Sequence, residues 1–369
     1  AHNATADVEA TTRCFFELVR REVFTLDELK AEPDFFEKFK LLHPDQIQPI
    51  GLTHINLKEA SAKLKEVVAP SAGDIDREAA RVRLKDAPFV HLHNHTQFTI
   101  LQSTMDVKGL IKQAIQHKMP AVALTDTANM MAAFHFEKAI SGINKQIKAD
   151  RAEAEEKGEP FDQQELMPII GCELYVCRDR KDKQNKDNGY LVVFLAKNKN
   201  GYHNLVKLAS LAYTEGMYYV PRIDKTIVEQ YKEDLIVVTG GLSGEVPNLL
   251  LNVGEKQAEE ALIWWKEQFG SDLYVEIMRH GQEDEDRVNA SLIKLAQKHG
   301  VSLVATNNTF YGSEQDANTH DILLCVRDGV QVATPKGKGR NFRFGLENEQ
   351  YYFKSSEEMK ELFLDLPEA

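Results

Sequence analysis

His91, His93 and His95 recur at alternate positions in PFVHLHNHTQFT, residues 88–99. In an extended strand that period puts all three imidazoles on one face. Imidazole is the commonest side-chain ligand of zinc and similar ions, so metal binding is the chemistry such a face suggests. The competing reading of any one of them is a buried strand histidine bonded to backbone. The polar, turn-prone TQFT that follows sets the imidazoles at the strand's C-terminal mouth, where α/β folds keep their functional groups.

The elements that would position this face are legible as alternating patterns. Apolar, β-branched runs fall at 89–95, 121–126, 168–176, 191–196, 235–240, 273–278 and 302–307. Between them lie segments with apolar spacing of three and four: DVKGLIKQAIQHK, NMMAAFHFEKAISGINKQI, GYHNLVKLASLAY, GEVPNLLLNV, GEKQAEEALIWWKEQF and DEDRVNASLIKLAQKHG. Seven strands alternating with helices predict an α/β fold with a mostly parallel sheet. An open doubly wound sheet and a closed barrel both satisfy the periodicity. The charged stretch 148–165 is expected to extend the preceding helix and then loop back to the strand near Pro168, with a partner-binding arm as the alternative. GKGRNFRFG, 337–345, is basic, glycine-rich and carries Phe342 and Phe344, a composition suited to nucleic acid or to a surface hairpin.

Composition narrows the class. With 369 residues, 43% of them hydrophobic, the chain can build one large core plus an appendage. No run approaches membrane-spanning length and no secretory signal opens the chain, so a cytoplasmic protein with no membrane partner is expected. The four cysteines, 14, 172, 177 and 325, lack metal-finger spacing and are expected as free thiols. A formal net charge of −12 opposes duplex DNA binding except at a local basic patch.

HLHNHTQFTIL, ALTDTANMMAAFHFEKA, PIIGCELYV, LAKNKNGYHNLVKLA, TGGLSGEVPNLLL, VEIMRHGQEDEDRVN and ATNNTFYGSEQDANTHDILLCV, in that order, resemble the PHP (polymerase and histidinol phosphatase) domain that opens the α subunit of bacterial C-family DNA polymerase III. The similarity runs from about Ala87 to the C-terminus. It implies a distorted (β/α)7 PHP barrel, which decides between barrel and open sheet, and a role in DNA replication as part of a DNA-directed DNA polymerase, a nucleotidyltransferase. His2-Asn3-Ala4-Thr5-Ala6-Asp7 and the helix after it resemble the last motif of DEDD-family 3′-5′ exonucleases, in which the Asp binds metal and the His is general base. The domain expectation is therefore residues 1–21 as the C-terminal helix of a truncated exonuclease-like domain, 22–86 as a helical linker and 87–369 as the PHP domain. Phe35, Phe36, Phe39, Leu41 and Leu42 are too apolar for a free linker, so part of it should pack against a domain.

Carried over one residue at a time, the resemblance implies a damaged metal site. Active relatives hold a metal cluster that activates water for phosphoester hydrolysis. His93, His95 and Glu173 match kept ligands. Gln102 stands where the first motif has Asp, and Thr127 where Thr-Asp-His has His. Leu191 falls at a His position and Gly241 at a Cys, while Asn308 and Phe310 replace the Asp and His of a late motif. Leu, Gly and Phe offer no donor, and Gln and Asn lack the charge that lets several ions share a pocket. The expectation is a catalytically silent module with no catalytic group intact, His2 and Asp7 being an exonuclease remnant, and with no cofactor. The alternative is an active phosphoesterase or 3′-5′ exonuclease using one zinc or manganese ion on His93, His95 and Glu173, with Asp126 as a further candidate. Implied partners are the polymerase core and exonuclease domain of the same polypeptide, DNA through the longer protein, and replisome subunits. Leu191 and Phe310 should partly fill the former metal pocket. His93 and His95 should be neutral and bonded to neighbours such as Asn308, Gln102 or Thr127.

Overall fold

The computed structural model describes residues 4–44, 76–337 and 339–369. The chain divides into two units, Ala1–Val68 and Ala69–Ala369, so the segment 22–86 is shared between them.

The first unit holds helices α1 (Ala4–Arg20), α2 (Leu26–Leu29) and α3 (Phe35–Leu42). Thr25 and Glu28 cap α2 reciprocally. Phe39 packs edge-on against Phe16 of α1 with ring centroids 5.3 Å apart, and Arg20 donates to the His43 carbonyl. The apolar residues of this segment thus do find a partner, but Leu41 and Leu42 stay exposed. His2, the side chain of Asp7, NLKEASAKLKEVVAP (56–70) and 71–75 of SAGDID lie outside the described residues.

The second unit opens with α4 (Arg77–Leu84), capped by Asp76 and tied by the Arg81 guanidinium to Glu361. Seven strands follow: β1 (Ala121–Leu124), β2 (Met167–Cys177), β3 (Tyr190–Ala196), β4 (Arg222–Asp224), β5 (Leu235–Val238), β6 (Leu273–Met278) and β7 (Ser302–Thr306). The helices between and after them are α5 (Val107–Gln116), α6 (Ala133–Lys157), α7 (Lys199–Thr214), α8 (Lys225–Tyr231), α9 (Glu245–Asn252), α10 (Glu255–Phe269), α11 (Glu283–His299), α12 (Ala317–Asp328) and α13 (Ser356–Leu362). Strand order is β1-β2-β3-β5-β6-β7, with β4 beside β2. The pairings are parallel except where β3 meets β2 and β5. The connection 178–189 holds no helix and simply reverses the chain, which makes β3 antiparallel to its neighbours.

The histidine segment closes this sheet. On one side Ala123 N–H donates to the His91 carbonyl and Thr125 N–H to that of Asn94; on the other, His95 and Thr309 exchange backbone bonds through the Thr309 and His93 carbonyls. Residues 89–95, expected as a full strand, therefore lie extended between β1 and the end of β7, but form a single bridge, at Asn94, rather than a ladder. Side-chain bonds replace the ladder: Asn94 Nδ2 donates to the His91 and Ala123 carbonyls at 3.0 and 2.9 Å. Asn94 turning to the backbone leaves His93 and His95 facing inward.

Outside the strands the helices cover a core centred on Phe194, Trp265, Phe269, Leu262 and Val275. Helix α6 absorbs the charged stretch as far as Lys157, where Gly158 at φ +69° ends it, and 158–166 returns to β2. β4 was not anticipated, since three residues carry no readable period. No helix among the described residues is long and apolar enough to cross a membrane, and all four cysteines are free.

Candidate metal centre

The three histidines separate by environment. His91 is the backbone-bonded one: Nε2 lies 2.8 Å from the Lys354 carbonyl, and its ring packs between Phe89 and Phe353. Burial pushes it down to about 4, so it is neutral.

His93 lies between two carboxylates. Nδ1 is 2.9 Å from Glu276 Oε1, on β6, and Nε2 is 3.2 Å from Glu173 Oε1, on β2. Burial opposes charge on this ring, but the Glu276 charge and the hydrogen bond to Glu173 outweigh it and hold the imidazole at about 10. His93 is thus an imidazolium donating from both nitrogens, which corrects the expectation of a neutral ring. The Thr306 hydroxyl also donates to Glu276 Oε1, and Thr127 Oγ1 donates to Glu173 Oε2 at 2.7 Å. Burial would raise the Glu173 carboxyl, yet the His93 hydrogen bond, the charge of His93 and the bond from Thr127 keep it below its ordinary range. Glu276 was missed in the sequence reading. Its signal was there: a lone acid inside the apolar strand LYVEIM.

His95 behaves as expected. Burial lowers it to about 4, and its Nε2 lies 2.8 Å from Asn308 Oδ1, with Thr127 Oγ1 3.3 Å from Nδ1. Phe310 stacks on it at 4.4 Å between centroids and 10° between planes. Asp126 does not join the group. It accepts from Thr96 N, Thr96 Oγ1 and Thr99 Oγ1 at 2.6–2.8 Å and so pins the turn after His95.

Gln102, Thr127, Leu191, Gly241, Asn308 and Phe310 all line one cavity of about 610 Å³ whose floor includes Glu173. Six positions scattered over 209 residues of sequence thus converge on one mouth. The cavity is partly filled, as expected: Phe310 covers His95 and Leu191 forms part of the wall, while His93 and His95 stay buried. The opposite wall is the loop carrying Lys336, Phe344 and Leu346. Arg343 fixes this loop through a two-pronged bond to Asp321, at 2.9 and 2.7 Å, while Phe342 and Phe344 remain about half exposed.

Among the described residues, one group of His, Cys, Asp or Glu side chains is spaced for an ion: His93, His95 and Glu173, with ligand atoms within 4.8 Å of one another. Two histidines and a carboxylate can hold a single zinc. Around this group, Leu191, Gly241 and Phe310 bring no donor to the cavity, and Gln102 and Asn308 bring no charge.

Comparison with known proteins accords with this architecture. The DNA polymerase III subunit alpha of Treponema pallidum is 38% identical over 285 residues, that of Borreliella burgdorferi 37% over 285, and that of Thermus aquaticus 34% over 288. Each alignment covers 76% of this chain, which spans only about a fifth of the length of these relatives, 21–22%. Among solved structures, a protein of Bifidobacterium adolescentis assigned as a metal-dependent phosphoesterase aligns over 76% of this chain and 96% of its own, at 14% identity and a TM-score of 0.36, too loose a likeness to carry an argument. The PHP domain family matches residues 91–280, and with the barrel closed by a histidine segment inside that range, the chain belongs to the PHP domain family.

Proposed function

We propose that this chain is the PHP module of a replicative DNA polymerase III α subunit and that the module is catalytically silent, a structural barrel joining an upstream proofreading nuclease to the polymerase core. His93 is the observation that carries this reading. Its Nε2 lies 3.2 Å from Glu173 Oε1 and its Nδ1 2.9 Å from Glu276 Oε1, so both carboxylates have a partner within the protein itself. Leu191, Gly241 and Phe310 around the same mouth remove donors that a cluster would need. His2 and Asp7 are read as part of that nuclease's last motif, and DNA and the replisome subunits are met through the longer polypeptide.

A second reading has one observation in its favour. Glu276 stands behind His93 Nδ1, as the orienting carboxylates behind metal-bound histidines do. A single zinc or manganese ion on His93, His95 and Glu173 would supply an activated water for phosphoester hydrolysis. His93 would have to release its Nε2 proton and His95 its contact with Asn308.

Elemental analysis of the purified, dialysed protein separates the two, together with hydrolysis assays on an end-labelled oligonucleotide and p-nitrophenyl phosphate. The silent module predicts metal well below one ion per chain and turnover at background. Stoichiometric metal, with a turnover abolished by Glu173→Gln, would overturn it in favour of the mononuclear site.

A further inference from the structure

Away from the barrel mouth, the loops 178–189 and 215–221 build a second surface of defined chemistry. Tyr213, Met217 and Tyr219 are exposed there, Tyr219 at 66%. Tyr219 holds φ at +62°, a left-handed backbone that a large aromatic residue seldom adopts. Strain of this kind persists only where the surroundings impose it. Here Arg222 imposes it. It is fully buried, and its guanidinium is bonded to four main-chain carbonyls, of Arg180, Asp182, Asp187 and Gly216, clamping both loops at once. The Arg222 guanidinium also lies 5.2 Å from the Tyr218 ring, which meets Tyr219 edge-on.

The charges of the first loop are sorted. Asp179, Asp182 and Asp187 turn their carboxylates onto backbone N–H groups of Lys181, Gln184 and Gly189. Lys181, Lys183 and Lys186 stay at the surface. Lys183 donates to the Met217 carbonyl, and the Lys186 ammonium sits 4.8 Å over the Tyr219 ring. The carboxylates are thus engaged by main-chain N–H groups while the amines stay at the surface beside Tyr213 and Tyr219, on a chain whose overall charge is −12.

We propose that this surface binds single-stranded nucleic acid, a base stacking on Tyr219 and the phosphodiester backbone tracking Lys181, Lys183 and Lys186. The chemistry matches in both halves: a π-face accepts any base, and ammonium groups neutralise phosphates. A clamped, strained tyrosine is already in place before the strand arrives, so little ordering is needed on binding. The proposal is independent of the metal centre.

Fluorescence anisotropy of the whole chain with labelled oligothymidylate at low salt tests it, circular dichroism confirming that each variant is folded. Expected are binding stronger than to duplex of equal length, and a fall in log affinity with log salt of slope about −2 for three phosphate contacts. Tyr219→Ala should weaken binding roughly tenfold, and the triple exchange of the lysines to Gln should flatten the salt slope. Tyr219→Gly should raise the melting temperature, by relieving φ, while losing binding to the same extent as Tyr219→Ala. No binding at low salt, or binding indifferent to Tyr219→Ala, overturns the proposal. Displacement by polyglutamate as effectively as by oligothymidylate also overturns it, and reassigns the surface to an acidic protein partner.

Discussion

Glu276→Gln keeps the shape of the side chain and an acceptor for His93 Nδ1, but deletes the larger of the charges that hold His93 protonated. Both groups are buried, His93 at 1% and Glu276 at 2% exposure, and disrupting a buried pair costs about 3 to 5 kcal/mol. That cost depends on pH. The folded His93 has its pKa raised from 6.5 to about 10. The stability this contributes is fully present below pH 6.5 and is lost as pH rises through 10, at about 1.4 kcal/mol per pH unit in between. Without the Glu276 charge most of that contribution is gone at every pH. The gap between parent and variant should therefore be widest near pH 7 and shrink by about 3 kcal/mol by pH 9. The parent's own curve is a poor readout. Burial draws Lys354 down to about 8, so its contribution rises with pH above that value and opposes the His93 slope. In the difference between the two proteins it cancels. At about 2 °C per kcal/mol for a domain of this size, scanning calorimetry should find the melting temperatures roughly 6 to 10 °C apart at pH 7 and closer by about 6 °C at pH 9. A gap that stays constant across this range would mean that His93 is neutral and that the proton-bridged account of the site is wrong.

Two further outcomes are expected. Arg343→Ala should release the loop that walls the cavity, speeding tryptic cleavage at Lys336 and Arg340 and lowering stability by about 2 kcal/mol, because the two-pronged bond to Asp321 is lost; unchanged digestion would show that the loop is held by other contacts. Restoring Gln102→Asp, Thr127→His, Leu191→His, Gly241→Cys, Asn308→Asp and Phe310→His together should lower the melting temperature in chelator and raise it strongly with zinc or manganese, since binding to the folded state alone stabilises it. The new Cβ at Gly241 would lie 2.9 Å from Met278 Sδ, so that side chain must shift, and a metal response from the unaltered parent would instead identify the residual three-ligand site.

The features legible in the sequence were those that period and chain order encode. Runs such as AVAL at β1 and YLVVFLA at β3 are buried along nearly their whole length and were placed to within a residue or two. The six cavity positions came from the family resemblance, carried over one residue at a time, and the barrel brings them to one mouth. What escaped depends on three-dimensional neighbours. Nothing local marks β4 as a strand, since it exists only through its pairing with β2. The protonation of His93 could not be read either, because it is set by Glu173 and Glu276, 80 and 183 residues away. His91, identical in type and strand spacing, is driven the opposite way by burial, its ring packed between two phenyl rings with no carboxylate of the described residues against it. The same residue at the same period thus has opposite charge states within one segment, and only tertiary structure decides which.

On the silent-module reading, the survival of His93, His95 and Glu173 needs a structural reason, and the hydrogen bonds supply one. His93 joins the closing segment to β2 and β6 through Glu173 and Glu276, while Glu173 receives Thr127 from the end of β1 and Glu276 receives Thr306 from the end of β7. One imidazolium with its two carboxylates therefore ties together four strands and the segment that closes them, at the place where the backbone ladder is reduced to a single bridge. Truncating any member leaves a buried charge unpaired, which is far costlier than keeping the set. Gln102, Leu191 and Gly241 instead line the open cavity. On that reading His93 and Glu173 are held by their part in closing the barrel, and Thr127, which stands at a replaced position, joins the same network by donating to Glu173.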